Sequence, residues 1–224
     1  MCEENVPFKK HLREYLELQE RLVSRAPIEI RLNTEVTPEY ACSVGADVII
    51  AALGALPIIP DIPGIDGPNV MGAQEAYAEP EKVGASVAIL GAGFTGAELA
   101  IYLSMLGKKA TIIEIDEKIS NGGNRWHGFA IEGQFAEYGI KPHFNTKALR
   151  VDGGGVLCET TEGEKYFECD TVVYAVGLKP LFEEASSLRS CARRFYSLGD
   201  CVTPATISEA NETAATIARE IGRF

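Results

Sequence analysis

The stretch SVAILGAGFTGAELAIYLSMLGKKATIIEID, residues 86–116, decides how the rest of the chain is read. "SVAIL" is a short β run. Gly91, Ala92 and Gly93 form a tight turn, and the segment after them carries apolar residues at helical spacing, at Ala97, Ala100, Ile101 and Met105. "ATIIEID" supplies the next strand, ending at Glu114. This is a complete strand–turn–helix–strand unit, half of a Rossmann fold. Gly91, Gly93 and Gly96 match G-x-G-x-x-G in the required context, with Phe94 and Thr95 opening the helix. The first glycine permits the turn, the second lets the backbone approach a pyrophosphate, and the third lets helix and strand pack closely. The helix N-terminus offers N–H groups and a positive dipole end to phosphates. Glu114, eighteen residues after Gly96, is placed to accept hydrogen bonds from an adenosine ribose and to repel a 2′-phosphate. One such charge-assisted bond favours NADH over NADPH by roughly ten- to a hundred-fold.

Working outward, the chain contains an internal repeat. "IEIRLNTEVT" from Ile28 is echoed by "IKPHFNTKAL" from Ile140, and "ADVIIAALGALP" from Ala46 by "CDTVVYAVGLKP" from Cys169. Each copy opens with a helical segment, His11 to Arg25 and Arg125 to Gly139. A strand with an Asn-Thr pair follows, then a near-continuous apolar strand, Val48 to Leu53 and Val172 to Val176, ending in Gly54 or Gly177. Both apolar strands are expected to be buried in the middle of parallel sheets. The second copy adds a hairpin, "VDGGGVLCETTEGEKYFE", and is preceded by the 86–116 unit. The first copy has no such unit. The chain is therefore expected to begin partway through its first nucleotide-binding domain. A Pro- and Gly-rich linker, residues 55–84, joins the copies, and residues 181–194 read as irregular.

Hydrophobic residues at 46% and charged residues at 24% are ordinary for a folded soluble chain of 224 residues. The formal charge of -11 argues against nucleic acid or an anionic membrane as partner. With no signal-peptide core and no apolar run of membrane-spanning length, the chain is expected to be cytoplasmic. Six cysteines (Cys2, Cys42, Cys158, Cys169, Cys191, Cys201) form no C-x-x-C and no close cluster, which favours small buried thiols over a redox or metal role. The three histidines, His11, His127 and His143, are scattered, and no metal ligand set is expected.

Near the C-terminus, "FYSLGD" leads to a helix opened by Thr206 and Glu209, a T-x-x-E capping box. Asp200 after Gly199 can accept from a ribityl or sugar hydroxyl, and the helix N-terminus can stabilise negative charge beside it. "GAGFTGAELA" with "EID", "IPGIDGPNV", "YAVGLKP" and "YSLGDCVTPATISEANETA" together resemble the C-terminal half of two-dinucleotide-domain flavoproteins. The likeness is nearest to the NADH:flavin oxidoreductase group of 2-enoate reductase, 2,4-dienoyl-CoA reductase and trimethylamine dehydrogenase, and runs from about Pro7 to Phe224.

The resemblance implies FAD and NAD(H) in two nested domains, with electrons passing through an iron–sulfur cluster to FMN in an N-terminal barrel. Residue by residue, it implies NAD(H) at Gly91, Gly93, Gly96 and Glu114, with Phe94, Thr95 and Gly177 as further cofactor-binding positions. It implies FAD at Gly199 and Asp200, with the flavin ring facing Thr206 and Ile207. Three departures stand out. The barrel and cluster cysteines are absent from this sequence, a FAD fingerprint is absent, and the usual Ala-Thr-Gly reads Ala52-Leu53-Gly54. The expectation is thus an α/β protein with two Rossmann-like nucleotide-binding domains. A complete NAD(H) domain at 79–181 is inserted in an N-terminally truncated FAD domain formed by 1–78 and 182–224. The expected partners are the dinucleotides, the missing FMN barrel domain and a second copy of the chain. Hydride transfer between nicotinamide and flavin needs no side-chain acid or base, so no catalytic residue is named. The alternative is a non-catalytic module holding NAD(H) or an adenine nucleotide.

Overall fold

The computed structural model describes residues 6–119 and 125–221, with Arg125 as backbone only. The chain divides into two compact units, one built from residues up to 26 and 58–177, the other from residues 27–57 and 178 onward.

The first unit is organised by a five-stranded parallel sheet. Its strands are β3 (Val70–Gly72), β4 (Ser86–Leu90), β5 (Lys109–Ile113), β6 (Pro142–His143) and β10 (Thr171–Tyr174), in the order β3-β10-β4-β5-β6. The period-two side-chain alternation of strands sorts β4 onto two faces. Val87 and Ile89 pack with α3 (Ala73–Ala78), α4 (Phe94–Met105) and α5 (Arg125–Tyr138) through Ala76, Leu99, Leu103, Ile131 and Phe135. Ala88 and Leu90 instead pack with Val151, Val156 and Cys158 of an antiparallel meander. That meander is β7 (Lys147–Asp152), β8 (Gly155–Thr160) and β9 (Gly163–Glu168), three strands where the sequence implies one hairpin. Two turns, at Gly155 (φ +156°) and Gly163 (φ +114°), explain the extra strand. α4 is apolar on nearly every face, and everything from Gly96 to Leu103 is buried, so its stability comes from packing. Each fully buried Val, Leu or Ile here contributes about 1.5–3 kcal/mol.

The second unit is sparser. It holds α2 (Pro38–Val44), β1 (Val48–Ala51), β2 (Ala55–Pro57), β11 (Leu178–Pro180), α6 (Phe182–Ser187), β12 (Arg194–Ser197) and α7 (Ile207–Ile221). α2 is closed at both ends by local chemistry. The Thr37 hydroxyl accepts from Tyr40 N–H at 3.2 Å, Pro38 takes the first helical position, and Gly45 adopts the left-handed conformation after its last turn. β1 pairs in parallel with β12, and β2 pairs antiparallel with β11. The buried cluster is Ala51, Ala185 and Cys201, with Leu181 and Phe195 against it.

Three expectations are corrected here. Val48 to Leu53 is not a buried central strand: β1 covers only Val48–Ala51 and its ladder runs to β12 alone among the described residues, leaving Ile50 48% and Leu53 41% exposed. Its repeat partner β10, between β3 and β4, is a central strand with Val172 and Val173 fully buried, but it ends at Tyr174, and Val176 is 39% exposed. The Asn-Thr pairs do not lie on strands. Asn33 and Asn145 both turn into the left-handed region (φ +52° and +49°), and Thr34 and Thr146 donate their hydroxyls to the carbonyls of Leu32 and Phe144. The repeat is real, but what it encodes is a turn that Asn tolerates. Finally, residues 181–194 are not irregular: they contain α6 and a 3-10 turn at Arg189–Cys191.

The cysteine expectation also changes. Cys158, Cys169 and Cys201 are buried thiols, but Cys42 and Cys191 form a disulfide across 149 residues of sequence. No short-range spacing announces such a pair, because only the fold brings the two together. Cys2 lies outside the described residues. Among the described residues no helix is long and apolar enough to cross a membrane.

Candidate functional site

In the parallel sheet, β5 lies on one side of β4 and β10 on the other, so the chain reverses its direction of growth at the β4–β10 boundary. Ligands of open α/β sheets bind outside the carboxyl ends of strands at such a point. The Gly-rich turn sits there. Gly91 has φ +108°, and a Cβ on it would lie 2.5 Å from the Ala175 carbonyl oxygen just beyond β10. A Cβ on Gly96 would lie 2.1 Å from the Gly91 carbonyl oxygen, so turn and helix touch backbone to backbone. Gly93 differs: a Cβ there meets nothing within 4 Å. Two of the glycines thus close the turn, and the third leaves open space above the start of α4.

Glu114 follows β5 and is buried. Its Oε2 accepts from the Ala92 N–H at 2.5 Å and its Oε1 from the Asp116 N–H at 2.9 Å, which ties the glycine turn to the end of β5. Beside it opens a cleft of about 410 Å³, within the size range of small-molecule sites. Leu90, Gly91, Ile113 and Glu114 line one side, and Asp61, Thr146 and Lys147 contribute from loops and the start of β7. The latter three were not singled out by sequence. Thr146 carried a signal, since it belongs to the repeated Asn-Thr turn that delivers it to the cleft rim.

Gly177 adopts φ +113° and accepts a hydrogen bond from Ile58 N–H at 3.0 Å, while Val176 before it lines the cleft. Phe94 packs edge-on against His127, with ring centroids 4.4 Å apart. His127 Nε2 lies 2.9 Å from Glu98 Oε1, and Lys9 Nζ lies 2.5 Å from Glu98 Oε2. Glu98, 5% exposed on α4, is therefore a buried acid that meets the Lys9 ammonium and the His127 ring. Sequence periodicity placed it on a helix but could not show its burial.

The remaining residues singled out from sequence lie in the second unit. Gly199 has φ +69° and opens a 3-10 turn to Cys201, and Asp200 Oδ1 accepts from Ala205 N–H at 3.3 Å. The capping box forms as expected. Thr206 N–H donates to Glu209 Oε2 at 2.9 Å, and Glu209 N–H donates to Thr206 Oγ1 at 3.3 Å. The Thr206 backbone and hydroxyl bonds hold the Glu209 carboxyl below the usual carboxylate range. Ile207, the first residue of α7, is 36% exposed. Asp200 and the α7 start thus offer a carboxylate and a helix N-terminus on neighbouring turns.

A family model described as pyridine nucleotide-disulphide oxidoreductase matches residues 23–190. The chain belongs to that family. A bilirubin reductase of Mediterraneibacter gnavus is 28% identical over 194 residues, covering 87% of this chain and 29% of that protein. A cinnamate reductase of Clostridium sporogenes is 28% identical over 219 residues, covering 96% and 32% respectively. Among solved structures, a 2-naphthoyl-CoA reductase in complex with 2-naphthoyl-CoA superposes with a TM-score of 0.85 at 25% identity, covering 93% of this chain and 32% of that one. The chain spans about a third of the length of these relatives. As a member of this family, it carries the Rossmann-type architecture that its parallel sheet and glycine turn display.

Proposed function

We propose that this chain is the NADH-binding portion of a flavin-dependent oxidoreductase, in which hydride passes from NADH to FAD and onward to a separate reductase domain acting on an enoate- or enoyl-type substrate. The observation that carries the reading is the glycine turn at the β4–β10 boundary, joined to buried Glu114 beside a cleft of about 410 Å³. The residues present fit NAD(H). Open space at Gly93 and the amides of the first turn of α4 suit a pyrophosphate, and Glu114 at the end of β5 suits a ribose. NADH would supply a hydride from its nicotinamide. The chain's own residues bind and orient: Gly91 and Gly96 hold the turn rigid, while Glu114, tied to Ala92 N–H, has acceptor capacity left for ribose hydroxyls.

For FAD the fit is partial. Asp200, Gly199, Thr206 and Ile207 suit the ribityl and ring end, but the described residues of the second unit contain no glycine turn for a second pyrophosphate, so no step is assigned to them. In this reading residues 79–181 carry the NAD(H) domain, with residues up to 26 and 58–78 packed in the same compact unit, and the rest of 1–78 with 182–224 forms part of the FAD domain. The FMN barrel and iron–sulfur cluster belong to a further domain. The similarity to a cinnamate reductase supports the enoate class of final substrate.

The test is a fluorescence titration of the purified chain with NADH and NADPH. NADH is expected to bind at least about ten-fold more tightly, from the charge and hydrogen bonding of Glu114. Equal affinities would remove Glu114 from the site.

A further inference from the structure

We propose that the Cys42–Cys191 bridge is a thiol-cleavable clamp that holds the β1–β12 strand pair together. The bridge joins α2 to the 3-10 turn at Arg189–Cys191. α2 leads through the left-handed Gly45 into β1, and the 3-10 turn leads into β12, so the bond sits just before the N-terminal ends of both strands. The ladder begins where Arg194 N–H donates to the Asp47 carbonyl at 3.2 Å and ends where Leu198 N–H donates to the Ala51 carbonyl at 3.0 Å. Gly199 and Asp200 follow at once. The buried cluster of this unit is small, Ala51, Ala185 and Cys201, with Leu181 and Phe195 against it. A covalent link between α2 and the 3-10 turn limits how far β1 and β12 can separate when their ladder opens.

The cysteines are also divided by access. Cys158, Cys169 and Cys201 are buried from reagents, and burial also pushes the Cys158 thiol up to about 11 and raises the Cys169 thiol. Cys42 is exposed and Cys191 partly so. A small-molecule thiolate can therefore reach the Cys42 sulfur. Its attack forms a mixed disulfide at Cys42 and expels Cys191 as a thiolate, which takes up a proton. A second thiolate attacks the mixed disulfide and releases Cys42, which is protonated in turn. The bridge gains two electrons and two protons, and two small thiols become one disulfide. The clamp is then open, and the turn at Gly199–Asp200 loses the support of a fixed strand pair. That last consequence matters for flavin only if the functional reading above holds, whereas the bond and its mechanical effect stand apart from it.

The experiment uses the full chain purified without reductant. Peptide mapping after alkylation in denaturant should recover a linked peptide pair containing Cys42 and Cys191, which dithiothreitol separates. Hydrogen exchange of the 48–51 and 194–198 amides should then become at least ten-fold faster on reduction, while β4 and β5 and the affinity for NADH stay unchanged. The Cys42→Ser/Cys191→Ser variant should exchange at the fast rate with or without dithiothreitol. Alkylation of both cysteines before any reductant is added would overturn the proposal, as would strand exchange that reduction leaves unaltered.

Discussion

The two copies of the repeat place almost the same strand in two different surroundings. Val172 and Val173 on β10 have strands on both sides and are fully buried, whereas Ile49 and Ile50, their partners in sequence, sit on β1 with one neighbouring strand, and Ile50 is 48% exposed. Yet local geometry is conserved. Gly54 and Gly177 both have positive φ, and each accepts the same bond, from Leu181 N–H at 3.2 Å and from Ile58 N–H at 3.0 Å. Asn33 and Asn145 make the same turn. Short-range sequence thus dictates turns wherever they occur, while burial depends on which neighbours the strand finds. In the second copy β5 gives β6 its partner, but Ile28, Ile30 and Leu32 in the first copy form no strand and are 55–78% exposed.

The largest effect should come from the glycine turn that precedes the second copy. In Gly96→Val, the new Cβ falls 2.1 Å from the Gly91 carbonyl oxygen, a backbone contact that no side-chain movement relieves. NADH affinity should drop by at least about a hundred-fold, measured by titration, because turn and helix can no longer pack. Retained affinity would place the nucleotide elsewhere. A matched pair of strand truncations sharpens the contrast next. Val173→Ala should cost about 2–3 kcal/mol in chemical denaturation, and Ile50→Ala about 0.5–1 kcal/mol. Similar costs would mean that β1 is covered as fully as β10.

Much of this was legible in the sequence, for reasons that differ by residue. The 86–116 unit was readable because strand, turn, helix and strand are consecutive, so periodicity and three glycines suffice. The Thr206–Glu209 box was readable because capping spans four residues. Asp61 and Lys147 were not, since they reach the cleft from loops whose positions the fold alone sets. The Cys42–Cys191 bond lacked any local signature for the same reason. The run Ile28–Leu32 misled in another way: its alternation is that of a strand, but a strand needs a partner for its backbone groups.

Smaller effects probe each region's chemistry. Glu114→Arg should narrow or reverse the preference for NADH by about ten- to a hundred-fold, read as the ratio of NADH and NADPH dissociation constants. An unchanged ratio would mean that the Glu114 carboxylate does not meet the ribose. In the second unit, Thr206→Ala should destabilise the start of α7 by about 1 kcal/mol, seen as faster amide exchange there and no change in NADH binding. Because bonds from Thr206 lower the Glu209 pKa, that support is present above the ordinary glutamate pKa and is lost as pH falls through the lowered value. Exchange at the helix start should quicken in acid for the native chain, and be less sensitive to acid in Thr206→Ala.

The proposed contrast between an NAD(H) site in the first unit and a partial FAD site in the second is tested most directly by the absorbance of the purified chain together with its NADH affinity. On the proposed reading, the described residues of the second unit offer FAD no glycine turn, and the loss of two or more charge-assisted bonds to its pyrophosphate would weaken flavin binding by roughly a hundred-fold or more. The chain should emerge from gel filtration nearly colourless, bind NADH, and oxidise it little when FAD is added. Flavin retained at near one equivalent through gel filtration would contradict this, and would mean that Asp200 and the start of α7 hold the cofactor without a pyrophosphate turn of their own.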